Sequence, residues 1–257
     1  MGNETRITRV LKHPERIPRS LRWRYRTVRK KLRNAWVDFR TQKSTHATGS
    51  VALDEIKKKA LVRTDVNDHL VTIFAESLSM SPRVIVELGV RGGESTFVME
   101  RVAALFSSKL VCVDIEDCDS SCAYEDSIFV KSDDIEFARR FESWCAENGI
   151  DPRIDVLMID TSHLYEHTVQ EIEHWFVFLA DRAKVLFHDT NLCEVYRRRD
   201  GSLGMAWDNE RGVIRALEDF FGTSFDEKED FVDYRRGWLI KHHAVCSGLT
   251  ILERIES

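Results

Sequence analysis

The sequence predicts an α/β protein: a doubly wound, mostly parallel sheet with a C-terminal antiparallel hairpin, preceded by a basic amphipathic helical arm. Three observations carry that expectation. Val84-Ile85-Val86-Glu87 is an apolar run ending in an acid; Gly89, Gly92 and Gly93 follow, and a helix-like segment starts at Glu94. Strand, tight turn and helix N-terminus in that order make the place where α/β proteins receive a nucleotide-like ligand. Downstream, short apolar runs alternate with helix-period segments, the pattern of parallel strands covered on both faces. Finally, each apolar run ends in a polar or acidic residue, at the end of the strand where such sheets bind ligands.

A chain of 257 residues with 43% hydrophobic residues and 4 prolines is long enough for one full domain with a substantial core. No apolar run approaches the roughly 20 residues of a membrane span, and the start lacks the apolar core of a secretory signal, so a soluble cytoplasmic protein is expected. Arg6 stands where N-myristoylation calls for Ser or Thr. The six cysteines do not form a disulfide pattern, and Cys118 and Cys122 have no second pair at zinc-finger spacing. Reduced thiols are expected.

Charge divides the chain. Residues 1–43 hold 14 Lys and Arg against 3 acids, a net of +11, and the remainder holds 24 against 40, a net of −16. Within the basic part, Leu21, Tyr25, Val28, Leu32, Trp36 and Phe39 recur at steps of three or four, giving one apolar stripe on a cationic helix. Two readings stay open: a helix lying at the inner face of an anionic membrane or gripping an acidic partner, and an arm whose stripe packs on its own acidic body or on another subunit of a homo-oligomer. Nucleic acid is not expected as a partner, because the body is acidic. Gln42 to Ser50 reads as a linker, so residues 1–50 form the arm and 51–257 the domain.

The domain's elements follow in order. Residues 51–80 are a helical lead-in, its second helix capped by Asp65 or Asn67. Strands are expected at 84–87, 109–114, 128–131, 154–160 and 184–188. Helices are expected at 95–106, 134–148, 163–179 and 211–221, and two β-like runs close the chain at 238–241 and 249–252. Arg197–Arg211, with Trp207, reads as a substrate loop or a solvated one. His242-His243 reads as a candidate metal pair or, more simply, as an exposed pair at a strand end.

The strand ends are Glu87, Asp114, Ser132-Asp133, Asp160 and His188-Asp189. Burying that set without partners would be costly, so together they describe a site. Asp114, 21 residues after Gly93, suits the ribose hydroxyls of a nucleoside. Ser132 or Asp133 then falls near the base. Neighbouring strand ends lie about 5 Å apart, which lets Asp160 and Asp189 share a hard cation such as Mg²⁺. His163 projects over the same pocket, where a neutral imidazole can take a proton from a substrate hydroxyl.

The ordered series Glu87-x-Gly89-x-x-Gly92-Gly93, Asp114, Ile159-Asp160-Thr-Ser-His163-x-Tyr165-Glu166 and Phe187-His188-Asp189-Thr190 resembles the class I S-adenosylmethionine-dependent methyltransferases, over roughly Asp65 to Leu252. Within them it is most similar to the macrocin O-methyltransferase-like or cephalosporin-hydroxylase-like group. The resemblance implies a Rossmann-like fold and S-adenosylmethionine as cosubstrate. Its cofactor loop would comprise Glu87, Gly89, Arg91, Gly92, Gly93, Ser95 and Thr96, with Glu87 near the cofactor's cationic end. It also implies Asp114 at the ribose, Asp160 shared by cofactor and metal, and His163 as general base. Such relatives place two acids after the next strand, where this chain has His188-Asp189, so His188 joins Asp160 and Asp189 as a candidate Mg²⁺ ligand. The expected activity is O-methylation of a sugar or glycoconjugate hydroxyl. The alternatives are an NAD-dependent oxidoreductase and a non-catalytic adaptor acting through the basic arm.

Overall fold

In the computed structural model the described residues are 19–40 and 46–255; the start of the basic arm and part of the linker lie outside them. Helix α1 (Arg19–Arg40) is followed by the lead-in helices α2 (Val51–Lys59) and α3 (Leu70–Leu78). The alternating body runs β1 (Val84–Leu88), α4 (Glu94–Phe106), β2 (Lys109–Asp114), β3 (Ser127–Lys131), α5 (Asp134–Ala138), α6 (Phe141–Asn148), β4 (Ile154–Ile159), α7 (Tyr165–Trp175) and β5 (Leu179–His188). A small hairpin, β6 (Val195–Arg197) and β7 (Leu203–Met205), precedes α8 (Gly212–Phe221). Strands β8 (Phe231–Arg235), β9 (Trp238–His243) and β10 (Leu249–Arg254) close the chain.

The main sheet has the order β3-β2-β1-β4-β5-β10-β9-β8. Strands β1 to β5 pair in parallel, and the order reverses at β1, where β2 lies on one side and β4 on the other. That reversal opens a crevice at the carboxyl ends. Val86, Leu88, Leu157 and Phe187 bury one face of the sheet against Phe137, Phe141 and Trp175 of α5–α7 and Leu217 of α8. Ile85, Leu110, Val156 and Met158 bury the other against Ile73 and Phe74 of α3 and Val98 and Met99 of α4. Alternate residues thus serve opposite layers, as a strand covered on both sides requires.

The fold is the one the sequence predicts, with local differences. The expected 134–148 helix breaks at Arg140, whose φ of −117° and ψ of 3° leave the helical region. Neither Asp65 nor Asn67 caps α3: His69 holds that position, and the Asn67 side chain accepts from the Thr64 amide instead. The closing strands do pair, but β10 lies against β5, and β8 forms the sheet's edge. β8 escapes a sequence reading because its residues are partly or fully exposed and its apolar ones, Phe231, Val232 and Tyr234, do not alternate with period two. β6 and β7 escape because three residues each are too few for a period to show.

Helix α1 departs most from expectation. It docks through its polar side: Arg33 Nε donates to the Gly201 carbonyl at 2.9 Å, Asn34 exchanges bonds with the Leu203 backbone, and Val37 is buried. The apolar stripe faces away from the body. Leu32 is 69% and Phe39 89% exposed. The stripe therefore does not pack on its own acidic domain.

Candidate functional site

The chain turns from β1 into α4 through Gly89 and Arg91, both with positive φ. Gly89 cannot be replaced freely, because a Cβ there would lie 2.1 Å from the Asp160 carbonyl oxygen. The Gly89 amide donates to the Val113 carbonyl at 2.9 Å, and the Asp160 amide to the Leu88 carbonyl at 2.8 Å. Three strand ends are thereby locked around one glycine.

A cavity of about 500 Å³ opens over these ends, lined by Gly89, Arg91, Asp114, Ser132, Asp133 and Asp160 among the residues picked out from sequence. Asp114 Oδ2 accepts from the Val90 and Arg91 amides at 2.8 and 3.0 Å, and Oδ1 from Glu116 at 2.8 Å. Burial pushes this carboxyl up, but the amides outweigh it and hold Asp114 below its ordinary value. Asp133 Oδ1 caps α5, accepting from Ile135 and Glu136.

The remaining turn residues lie differently. Gly92 and Gly93 shape the turn without lining the cavity. Glu87 is fully buried, beside Ser95, Thr96 and Cys112 on the face covered by α4, and burial raises its pKa to about 7. It does not reach the cavity. Strand alternation places it there: Glu87 shares its direction with Ile85, whereas Leu88 points to the other layer. Ser95 and Thr96 are buried with it.

Beside the cavity, Asp160, His163 and Asp189 each place a ligand atom within 4.8 Å of the others. His163 Nε2 lies 3.0 Å from Asp189 Oδ2 and 3.9 Å from Asp160 Oδ1. Both His163 and Asp189 hold left-handed backbone, at φ of 58° and 57°, a strain of ~1–3 kcal/mol per residue that clusters at functional sites. Gly212, whose Cβ would lie 2.5 Å from the His163 carbonyl, lets α8 close on this turn.

His188 is not part of that trio. Its Nδ1 lies 3.0 Å from Asp160 Oδ1 and its Nε2 3.1 Å from Ser247 Oγ, so both ring nitrogens are occupied. Burial alone would lower its pKa, but Asp160 and Asp189 outweigh it and raise it to about 10. His188 thus lies against two acids, 3.0 Å from Asp160 Oδ1 and 3.4 Å from Asp189 Oδ1, and holds them in place. The same pairing, with His163 and Arg91, keeps Asp160 below its ordinary value against the upward push of burial.

Residues 86–190 match the family model described as a methyltransferase domain. The chain carries a methyltransferase domain there. No curated protein matches its sequence. Its fold is that of a methyltransferase from Geobacter sulfurreducens, with a TM-score of 0.51 at 13% identity, covering 87% of this chain and 96% of that one. It is equally that of the O-methyltransferase from Bacillus cereus in complex with SAH, at TM-score 0.51, 12% identity and coverage of 87% and 97%. The MycE methyltransferase from the mycinamycin biosynthetic pathway, in complex with Mg and SAH, aligns at TM-score 0.50 and 16% identity over 80% of this chain and 55% of its own.

Several residues of the site were not apparent from sequence. Asp134, Thr161, Ser162 and His167 also line the cavity. Asn209 donates to the Asp189 carbonyl at 3.2 Å, and its buried Oδ1 has no hydrogen-bond partner. His242, expected exposed, is buried between Thr250 Oγ1 and the Glu227 carbonyl. A usable signal existed for His167: it stands four residues before Glu171 on α7, so both point to one side.

His167 Nε2 pairs with Asp134 Oδ1 at 2.9 Å, a bond that raises its pKa to about 9. Burial raises Glu171 to about 8. Both folded values lie above the unfolded ones, so the stability they contribute is present below the unfolded pKa and lost as pH rises through the folded one. Urea unfolding should therefore show stability falling from about pH 4.5 to 9. Glu171 acts between 4.5 and about 8 and His167 between 6.5 and about 9, so the slope above pH 6.5 should be shallower in His167→Gln.

Proposed function

We propose that this methyltransferase transfers a methyl group from S-adenosylmethionine to a hydroxyl oxygen of a sugar or glycoconjugate, assisted by Mg²⁺. The observation that carries the reading is the trio Asp160, His163 and Asp189 beside the cavity. In it Asp114 takes a ribose hydroxyl, since its three amide bonds leave acceptor capacity on the carboxylate. Ser132 and Asp133 lie along the adenine.

The donor set suits a hard cation. Asp189 Oδ1 and Asn209 Oδ1 are both buried without a hydrogen-bond partner, and Asp160 adds a carboxylate. Oxygen ligands are those Mg²⁺ prefers, which leaves the His163 imidazole to act on protons. Asp160, Asp189 and Asn209 would hold Mg²⁺, which when bound would lower the pKa of the acceptor hydroxyl. The hydroxyl oxygen attacks the sulfonium methyl in line; a C–O bond forms, the S–CH₃ bond breaks with its electron pair going to sulfur, and His163 receives the hydroxyl proton. The imidazolium so formed faces Asp160 and Asp189, which stabilise it. Trp207, half exposed with its ring 6.2 Å from that of His163, offers a face on which a sugar ring stacks. The Mg and SAH held by MycE accord with this reading.

His163→Gln should reduce kcat by ~10²–10⁴-fold and leave the calorimetric affinity for S-adenosylhomocysteine within twofold, and EDTA should lower the rate reversibly. Tight binding of NAD with no heat from S-adenosylhomocysteine would instead support hydride transfer and sink the proposal.

A further inference from the structure

Helix α1 is amphipathic in the inverted sense. On a helical projection Leu21, Tyr25, Val28, Leu32, Trp36 and Phe39 fall within one narrow sector. That sector is the exposed one: Leu21, Tyr25 and Val28 are each more than half exposed, alongside Leu32 and Phe39. The side that grips the body is polar, through Arg26 to Glu194, Arg33 to Gly201, and Asn34 to Leu203. Burying polar groups and exposing large apolar ones is unfavourable in water, so the outward stripe has a partner.

Charge identifies its chemistry. Helix α1 carries nine Arg and Lys against the single acid Asp38. Exposed Arg29 and Arg40 flank the stripe on one side, and exposed Arg24 and Lys31 on the other. Long cationic side chains on both flanks of an apolar sector reach up to headgroups while the sector enters the acyl boundary. Between the stripe and the β6–β7 hairpin lies a groove lined by Tyr25, Val28, Leu32 and Trp36, with Arg29 and Arg197 at its edges. Its walls match an acyl chain and an anionic headgroup. A second copy is a poorer occupant, because a two-fold contact through this face would set like charges against each other. No helix among the described residues is long and apolar enough to cross a membrane.

We propose that α1 docks the protein flat on an anionic lipid bilayer, apolar stripe inward, through a surface that shares no residue with the methyl-transfer site. The hairpin that holds α1 belongs to the segment joining Asp189 to Asn209, so docking and site share one scaffold.

The test floats the full chain with vesicles of phosphatidylcholine alone or with phosphatidylglycerol. Co-flotation is expected with the anionic vesicles, weakening about fivefold for each of Arg24→Gln and Lys31→Gln and at least tenfold in Leu32→Ser/Phe39→Ser. Both of those apolar positions are exposed, so the variant should unfold at the parent's temperature and keep its S-adenosylhomocysteine affinity. Failure to float, or flotation unchanged in the double variant, would overturn the proposal. So would a dimer in sedimentation velocity that the same double variant dissociates.

Discussion

Asp160→Asn is expected to lower kcat/KM by on the order of 10²–10³-fold while leaving the chain folded. Asparagine keeps the shape of the side chain and one carbonyl oxygen for the His188 Nδ1 proton, now 3.0 Å from Asp160 Oδ1. What it removes is a negative charge between three cationic or ionisable groups, His188, His163 and Arg91. On the proposed mechanism the metal set would lose a carboxylate and the imidazolium formed on His163 one of its two acids, while His188 loses the nearer of its counter-charges. Activity within tenfold of the parent would place the chemistry elsewhere.

The same substitution has a signature in stability. The folded pKa of His188 is raised to about 10, so its contribution is present below the unfolded value near 6.5 and lost as pH rises through about 10. Asp160 is lowered, so its contribution is present above its unfolded value near 3.8 and lost on acidification through the folded one. Asp160→Asn should therefore cost most between about pH 4 and 6.5, less as pH rises from there, and the difference from the parent should close above about pH 10. The loss should stay below the ~3–5 kcal/mol typical of a broken buried pair, because Asp189 Oδ1 remains 3.4 Å from His188 Nδ1. Thermal unfolding at several pH values separates this electrostatic role from simple mispacking, which would not depend on pH.

Much of the site was legible because its residues sit at strand ends, which a period-two apolar run announces. Asp114, Ser132, Asp133 and Asp160 reached the cavity for that reason. Glu87 did not, because being last in an acid-terminated run does not say which layer a side chain enters. His188 could not be told from a ligand, since its Nε2 partner, Ser247, lies 59 residues away on the approach to β10. Asn209 depends on a turn whose geometry is set by α8. The stripe of α1 was visible in its periodicity, but its direction was not: the anchors that turn it outward are backbone carbonyls at Gly201 and Leu203, and no side-chain pattern records those.

Gly89→Ala is expected to destabilise the chain by on the order of 3–5 kcal/mol and to abolish binding of S-adenosylhomocysteine. Its φ of +84° is already unfavourable for alanine, and the new Cβ meets the Asp160 carbonyl oxygen at 2.1 Å and its carbon at 2.7 Å. Those are backbone atoms, and neither side can yield cheaply. The Gly89 amide is bonded to Val113, and the Asp160 amide to Leu88, so separating them loosens β1, β2 and β4 together. Gly92 gives the internal control. A Cβ there would be 3.0 Å from Glu94 Oε2, the end of a flexible side chain, without a positive φ to oppose it. Gly92→Ala should cost less than about 1 kcal/mol. Gly93, at φ +73° and 3.0 Å from Ser121 Cβ, should fall between the two. Urea midpoints for the three variants, read beside calorimetric titration of S-adenosylhomocysteine, order them. Equal losses at Gly89 and Gly92 would mean that ligand contact, rather than the close approach of two strand ends, makes this turn glycine-rich.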